Sequence, residues 1–479
     1  MGLSQVLFFC GSPSLQYMLY SLSSNTYVRF YGPYAYFYNN LSKSELLLKN
    51  VNLFRQLFSR KPVDVDVLQK KIISGFENLQ RQNIINDFNY IFNLLVGNGF
   101  IVTKEKVNAK HFSYENIVPA SVTDQSPLPE EETSSPSDIL QDYFFKHPTL
   151  FTLSVDLTRA CTERCIHCYI PEYKSSFIDT KKLFQVIDEF SVSGGLKIKF
   201  TGGECMLHPD FSNILHYASR KDLIITVLSN LTVCNSVIMK SLYEANVGVV
   251  QTSLYGMSPE THDKITQLPG SFNRTMNWIQ TFIKHGIPLQ ISCPLMHANF
   301  REYQKVLEFG KSIGVRVDSD YVLTAKTNHD CSNLLNRLTL EELEDYLRKY
   351  CVSEISFAAE TGMEGIDYDG PVCEVGTNQL CLSSEGQYYP CNGSYEYVVG
   401  SYDTPISQVW NHSPQLNLLR NLKWKDLKKC PHCPKALYCK ICPLKNFNEQ
   451  NDLTRPIERN CQIADIKDKI FQEIKKGGT

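Results

Sequence analysis

Apolar residues change their spacing along this chain, and each change marks a region. Thr26 to Asn40 reads TYVRFYGPYAYFYNN, two runs of aromatic and β-branched residues broken at Gly32-Pro33, which predicts a β-hairpin. Leu53, Leu57 and Phe58 then suggest a short amphipathic helix. A stronger helical pattern runs from Asn86 to Asn98, with Phe88, Ile91, Phe92 and Leu95 on one face and Gly99 as its C-cap. A strand over 100–102 closes the unit. Hairpin, helices and late strand over residues 1–112 suit a small winged-helix-like module, and equally a merely structural N-terminal domain. Residues 113–145 break the pattern: SPLPEEETSSPS is proline-rich, acidic and poor in large apolar groups, and predicts a flexible linker.

From Leu153 short apolar runs alternate with helical stretches. Candidate strands are 153–158, 196–201, 223–228, 247–254, 288–294 and 317–323; between them lie helices such as 180–190, with Leu183, Phe184 and Ile187 at helical spacing. Six βα repeats over 146–355 predict an α/β fold with a parallel sheet, open or rolled into a partial barrel. Its chemistry is expected at the C-terminal ends of the strands. Past about Glu360, cysteines, tyrosines and turns replace the repeats, and 356–479 reads as a cysteine-rich third domain.

Composition changes this picture little. Of 479 residues, 43% are hydrophobic and 20% charged, as in ordinary soluble proteins. A net charge of −2 without a basic run argues against a nucleic-acid partner. The opening MGLSQVLFFC lacks a signal peptide's charged n-region, and Val6 stands where myristoylation wants Ser or Thr. No apolar run approaches the roughly 20 residues that span a bilayer. A cytoplasmic protein without a membrane partner is expected.

Cysteine changes it more. Seventeen cysteines in a chain without a secretion signal are poor candidates for disulfides, and two tight clusters at 161–168 and 430–442 point to metal. Cys161-Thr-Glu-Arg-Cys165-Ile-His-Cys168 follows the first predicted strand of the sheet. Three thiolates at this spacing leave one iron of a four-iron cluster without a protein ligand. Zinc is the alternative, but it needs a fourth ligand, and His167 is too close in sequence to close a tetrahedron comfortably. The second predicted strand runs into Thr201-Gly202-Gly203-Glu204. Glycines there let a ligand approach the backbone, and the carboxylate can accept from an ammonium.

A CxxxCxxC loop followed one βα unit later by GGE resembles the radical SAM superfamily, from roughly Phe151 to Leu323. The resemblance implies a partial (β/α)6 barrel that binds S-adenosyl-L-methionine. It implies that Cys161, Cys165 and Cys168 hold a [4Fe–4S] cluster whose fourth iron takes the methionyl amino and carboxylate groups. Tyr169 would lie near the adenine, and Gly202, Gly203 and Glu204 would hold the methionyl ammonium. Ser229 and Asn230 match the ribose and carboxylate contacts, with Ser253 a further candidate; Ser229-Asn230 also fits a helix N-cap. The implied chemistry is one-electron cleavage of the sulfonium to a 5′-deoxyadenosyl radical that abstracts hydrogen.

The late cysteines form a second pattern: Cys373, Gly386 and Cys391, then Cys430-x2-Cys433-x5-Cys439-x2-Cys442, then Cys461. Five residues between CxxC pairs are too few for a zinc ribbon. With YPCN and YVVGSYDTPISQVW, the series resembles the SPASM domain of peptide-modifying radical SAM enzymes, except that the last spacing is two where that family usually has three. The resemblance implies a first auxiliary [4Fe–4S] cluster on Cys373, Cys391 and Cys442 and a second on Cys430, Cys433, Cys439 and Cys461, so three clusters in all. Cys381 either completes the first or is a buried thiol in the strand Leu380-Cys381-Leu382. Cys10, Cys205, Cys234, Cys293, Cys331 and Cys351 fit no spacing and read as buried hydrophobes.

The order of elements at the front then resembles the peptide-recognition element of many maturases of ribosomally made peptides, which adds a leader as a strand to a sheet edge. The linker would raise the effective concentration of the tethered core peptide. The expected partners are a precursor peptide with its leader and a low-potential electron donor such as flavodoxin or ferredoxin. The expected product carries a thioether or carbon–carbon cross-link, or a related oxidation. Two rivals stand beside this reading. A sulfatase-type maturase usually has Asp where Asn392 stands and lacks the front domain. A non-catalytic iron–sulfur or zinc scaffold would not need the GGE or the open three-cysteine loop.

Overall fold

The computed structural model describes residues 18–49, 58, 60–74, 78–105, 135–361 and 367–477. The chain divides into two compact units, 1–143 and 144–479.

In the first unit, strands β1 (Met18–Leu22), β2 (Thr26–Tyr31), β3 (Tyr34–Asn39), β4 (Glu45–Lys49) and β5 (Val63–Asp64) precede helices α1 (Val65–Ile73) and α2 (Asn78–Gly97) and strand β6 (Ile101–Glu105). The expected hairpin is β2–β3, closed by the pair Tyr31↔Tyr34 and turned at Gly32, whose φ of +54° suits glycine. β4 extends it to a three-stranded sheet, β2-β3-β4, and a second sheet has the order β5-β1-β6. The expected helical face of Phe88, Ile91, Phe92 and Leu95 is buried with Tyr20, Phe37 and Phe100 in one core. Beyond α2, Gly99 takes φ +70° while Phe100 N–H returns to the Leu95 carbonyl at 2.9 Å, a left-handed helix stop. Strands β1, β4 and β5 went unread because they are short and, for β1, paired with residues far along the chain. The helix expected around Leu53 and Leu57 lies outside the described residues, as does 106–134 of the expected linker. Residues 136–145 are not linker: they belong to helix α3 (Pro136–Lys146). Ser135 and Asp138 cap it reciprocally, Asp138 N–H donating to Ser135 Oγ at 3.2 Å and Ser135 N–H to Asp138 Oδ2 at 3.0 Å, with Pro136 in the first turn.

In the second unit the six expected parallel strands are β7 (Thr152–Thr158), β8 (Lys197–Gly202), β9 (Ile224–Leu228), β10 (Val249–Ser253), β11 (Leu289–Ser292) and β12 (Val317–Asp318). The sheet order is β12-β11-β10-β9-β8-β7-β13-β14-β15, where β13 (Gln379–Leu382) runs parallel to β7, and β14 (Gln387–Tyr389) and β15 (Gly400–Ser401) continue antiparallel. Helices α4 (Thr180–Val192), α5 (Phe211–Arg220), α6 (Ser236–Glu244), α7 (Pro259–Thr266), α8 (Ser271–Lys284) and α9 (Tyr303–Ser312) alternate with the strands. α10 (Leu340–Tyr350), α11 (Val352–Thr361), α12 (Ile406–His412), α13 (Pro414–Arg420), α14 (Pro443–Gln450) and α15 (Glu458–Gly477) complete the unit. Leu153, Val155, Leu157, Ile198, Phe200, Val227, Val250 and Ile291 are fully buried in its core. The alternate residues of β7, Ser154, Asp156 and Thr158, are also buried, so this strand has a polar interior face. Among the described residues no helix is long and apolar enough to cross a membrane.

Candidate functional site

The cysteine loop begins where β7 ends. Thr158 Oγ1 accepts from Ala160 N–H at 2.9 Å and donates to the Ser176 carbonyl at 2.6 Å, which turns the chain out of the strand. Distant residues then hold the loop. Arg164 and Ile166 N–H groups donate to the carbonyls of Thr266 and Ile265 at the end of α7. The amides of Asn336 and Asn333 donate to the carbonyls of Ile166 and His167 at 2.9 and 3.0 Å. Burial pushes the Cys161 thiol up to about 12 and raises Cys165 and Cys168 as well, with the charge of the Glu163 carboxylate adding to all three shifts. A metal that binds here must therefore displace protons. Tyr255 OH donates to Cys165 Sγ at 3.8 Å, and its ring lies 5.2 Å from that of His167. Burial lowers His167 to about 4, and its Nδ1 has no hydrogen-bond partner among the described residues.

The Gly-Gly-Glu segment lies against the start of this loop. A Cβ on Gly203 would stand well inside van der Waals contact of the Ala160 carbonyl oxygen, and one on Gly202, at φ +122°, would meet the Thr158 carbonyl. Gly203 and Glu204 N–H groups donate to those two carbonyls, of Thr158 and Ala160, each at 2.8 Å. The glycines were expected to admit a ligand to the backbone; what approaches them is the chain's own cysteine loop. Glu204 is fully buried. Its carboxylate accepts from Met206 N–H at 3.0 Å, Ser229 Oγ at 2.8 Å and Asn230 N–H at 2.8 Å. Ser229 and Asn230 do not cap the following helix: Asn235 does, accepting from Val237 and Ile238 N–H. Instead the Asn230 amide reaches the cysteine loop, donating to Thr162 Oγ1 at 3.1 Å with Cys161 Sγ at 3.7 Å. Ser253 ends β10 two residues before Tyr255.

Four residues of this region, Glu163, Asp156, Tyr389 and Tyr395, escaped the sequence reading. Glu163, inside the cysteine loop, is 3% exposed; burial pushes its carboxyl up to about 7, Oε2 accepts from the Cys165 thiol at 3.2 Å, and Oε1 has no partner among the described residues. Asp156 lies on the interior face of β7, accepts from Tyr389 OH, and is pushed up to about 6 by burial. The rings of Tyr389 and Tyr395 lie 4.9 Å apart, tilted by 60°, and Tyr395 lies 6.0 Å from Tyr169, which is half-buried beside Gly393. The signal for Asp156 was visible as one acid within the apolar run LSVDLT; nothing in the sequence marked Glu163.

The late cysteines form two further groups. Cys373, Cys391 and Cys442 pack around Val375, Leu419 and Leu444, and thiolate charge at Cys442 pushes both other thiols up, beyond the effect of burial. Gln379 Nε2 donates to Cys391 Sγ at 3.2 Å. Cys381 is 1% exposed on β13, and its thiol donates to Asn392 Oδ1 at 3.1 Å. Cys430, Cys433, Cys439 and Cys461 line one cavity with Trp424 and Ile441, and their charges act on one another. Every described cysteine is free of disulfides. Cys205, Cys234, Cys293 and Cys351 are buried as expected; Cys331 is exposed, because it sits on a surface turn, and Cys10 lies outside the described residues. Three separate gatherings of thiols, one beside an orphaned buried carboxylate oxygen, suit iron–sulfur ligation by donor type. Among the described residues no three His, Cys, Asp or Glu side chains have the arrangement of a single metal ion's site.

Comparison with known proteins agrees with this layout. Residues 155–310 match the Radical SAM superfamily, and residues 373–434 match SPASM, an iron–sulfur cluster-binding domain. The AdoMet-dependent heme synthase of Methanosarcina barkeri (strain Fusaro / DSM 804) is 25% identical over 62% of this chain and 92% of its own length. The PqqA peptide cyclase of Gluconobacter oxydans (strain 621H) is 22% identical over 67% of this chain and 93% of its own. In fold, the chain resembles Streptococcus suis SuiB, solved bound to its precursor peptide SuiA, with a TM-score of 0.61 and 14% identity over 92% of this chain and 100% of that one. The protein is thus a radical SAM enzyme whose chain carries a radical SAM domain followed by a SPASM domain.

Proposed function

We propose that this enzyme modifies a ribosomally made precursor peptide and installs a thioether or carbon–carbon cross-link, or a related oxidation. The observation that carries the reading is the three-cysteine loop clasped by Gly202-Gly203 and by Asn230, in the same compact unit as two more groups of thiols. In this reading Cys161, Cys165 and Cys168 hold the cluster that meets S-adenosylmethionine. Cys373, Cys391 and Cys442 hold one auxiliary cluster, and Cys430, Cys433, Cys439 and Cys461 the other. When bound, the first cluster and S-adenosylmethionine supply a hydrogen-abstracting organic radical. The chain's own residues bind and orient: Ser229 and Asn230 through the Glu204 hydrogen bonds, Tyr169 toward the adenine, Ser253 at the next strand end. A flavodoxin or ferredoxin delivers the electrons.

Peptide as substrate draws support from the PqqA cyclase relative and from SuiB, solved with its precursor peptide. Within the first unit, β2 and β4 are the edges of a three-stranded sheet, where a leader can add as a further strand. The heme synthase relative supports a second reading, a tetrapyrrole substrate. Anaerobic reconstitution is expected to load about 12 irons, and changing Cys161, Cys165 and Cys168 together to Ala to leave about 8, at four per cluster. Co-expression with a small peptide encoded beside the gene is expected to change that peptide's mass. Zinc without iron overturns the cluster assignment; an unchanged peptide alongside a converted iron–porphyrin overturns the peptide reading.

A further inference from the structure

The parallel sheet has an apolar face and a polar one. Ile198 and Phe200 of β8 are buried in the helix-side core with Leu183 and Ile187 of α4. Lys199 between them therefore points to the other face, and its partial exposure is through that face. In register it stands abreast of Ser154 on β7 and Thr226 on β9, with Cys381 of β13 beyond Ser154. Ser154 is 4% exposed, and its hydroxyl has no hydrogen-bond partner among the described residues. The Cys381 thiol beside it is spent on Asn392. The Lys199 ammonium likewise has neither an ion pair nor a hydrogen bond among the described residues. Its charge is felt at Cys381, where it opposes the rise that burial imposes on that thiol. The acids of this face are engaged elsewhere: Asp156 accepts from Tyr389, and Asp318 pairs with Arg316 at 2.6 Å and accepts from Gln290. An ammonium on the inner face of a sheet, with an unpartnered hydroxyl abreast and no acceptor in reach, lacks an anion.

We propose that Lys199, with Ser154, is a substrate-binding site for a carboxylate of the peptide, either an Asp or Glu side chain or the C-terminal group. The inference deepens the peptide reading and rests on it. These are the groups of an unmodified peptide that are anionic near neutral pH. Lys199 stands three residues before Gly202 on β8, about 10 Å along the strand at roughly 3.3 Å per residue. That distance spans about three residues of extended peptide. A charge-assisted hydrogen bond so far below the strand end selects an acidic group at a fixed separation from the residue that reacts. It thereby sets which position of the peptide is modified.

The test uses the full chain, reconstituted anaerobically with S-adenosylmethionine present, and the small peptide encoded beside the gene, with binding followed by equilibrium dialysis. Peptide variants have each Asp or Glu changed singly to Asn or Gln, or the C-terminus amidated. Lys199→Met keeps the aliphatic length of the side chain and removes its charge. It is expected to load as much iron as wild type and to bind the unaltered peptide about tenfold or more weakly. One peptide variant is expected to lose the same affinity for wild type, and to bind Lys199→Met no more weakly than the unaltered peptide does. Which variant does so tells a side-chain carboxylate from the terminal one. Equal binding of the unaltered peptide by both proteins overturns the proposal. So does a loss in Lys199→Met that every peptide variant shares in full, because Lys199 then supports the fold and holds no carboxylate. Should Lys199→Met load less iron, Lys199→Gln takes its place in the same cycle, and wild-type protein indifferent to every peptide variant overturns the proposal whatever either substitution does. Wild-type protein that fails to bind the unaltered peptide, whether or not it binds iron coproporphyrin, overturns the proposal together with the peptide reading beneath it, and is recognised without any variant.

Discussion

Gly203 has no side chain because the Ala160 carbonyl leaves no room for one. The same residue spends its N–H on the Thr158 carbonyl, so a single position fastens the end of β8 to the start of the cysteine loop. Gly203→Ala is therefore expected to push the loop from its place, at a cost of about 1–3 kcal/mol for overpacking. The measurable outcome is a lower thermal midpoint together with loss of about four irons, one cluster's worth. A variant that keeps its full iron and its midpoint contradicts the clasp. At this scale the sequence showed that close approach to glycine was needed, and the structure adds that the Thr158 and Ala160 carbonyls lie against Gly202 and Gly203. A GGE motif reads the same whether a ligand or the chain's own carbonyls lie against it. The Asp156–Tyr389 contact was beyond reading for a plainer reason: the two residues are 233 positions apart.

Among the elements, β13 carries the most consequence for the site. Leu380 and Leu382 are fully buried, and the strand lies parallel to β7 in the register Leu380↔Leu153 and Leu382↔Val155. That pairing brings the cysteine-rich segment beside the first strand of the parallel sheet. Cys381, between the two leucines, turns its thiol to Asn392 and pairs in register with Ser154. A thiol so engaged behaves as a small buried donor, so Cys381→Ser is expected to keep the full iron content. Cys391→Ala, by contrast, is expected to lose about four irons. Equal losses in the two variants, measured as iron per chain, would make Cys381 a ligand instead. The strand itself was legible from Leu380-Cys381-Leu382, whereas its partner was not. A parallel strand carries no turn that names its neighbour, while the β2–β3 hairpin announces itself through Gly32-Pro33.

For the molecule as a whole, the two compact units divide at residues 143 and 144, and every group of thiols described above belongs to the second. The first unit has its own core, built on Phe37, Phe88, Phe92 and Phe100. Removing residues 1–143 is expected to spare 5′-deoxyadenosine formation and to reduce modification of a leader-bearing peptide at least tenfold, about the loss of one tethered contact. Undiminished peptide turnover by the shortened enzyme, followed by mass spectrometry, contradicts a leader-binding role. The sequence by itself determined what depends on residues close along the chain: the cysteine spacings, the strand–glycine–acid succession, the six βα repeats, and the helix stop at Gly99. Only the tertiary structure decided what depends on chain closure. It placed β13 against β7, turned residues 136–145 from expected linker into helix, and divided two buried acids between a saturated Glu204 and an unsatisfied Glu163. Spacing records covalent neighbours, whereas hydrogen-bond saturation is settled only when distant segments meet and each donor can serve one acceptor fully.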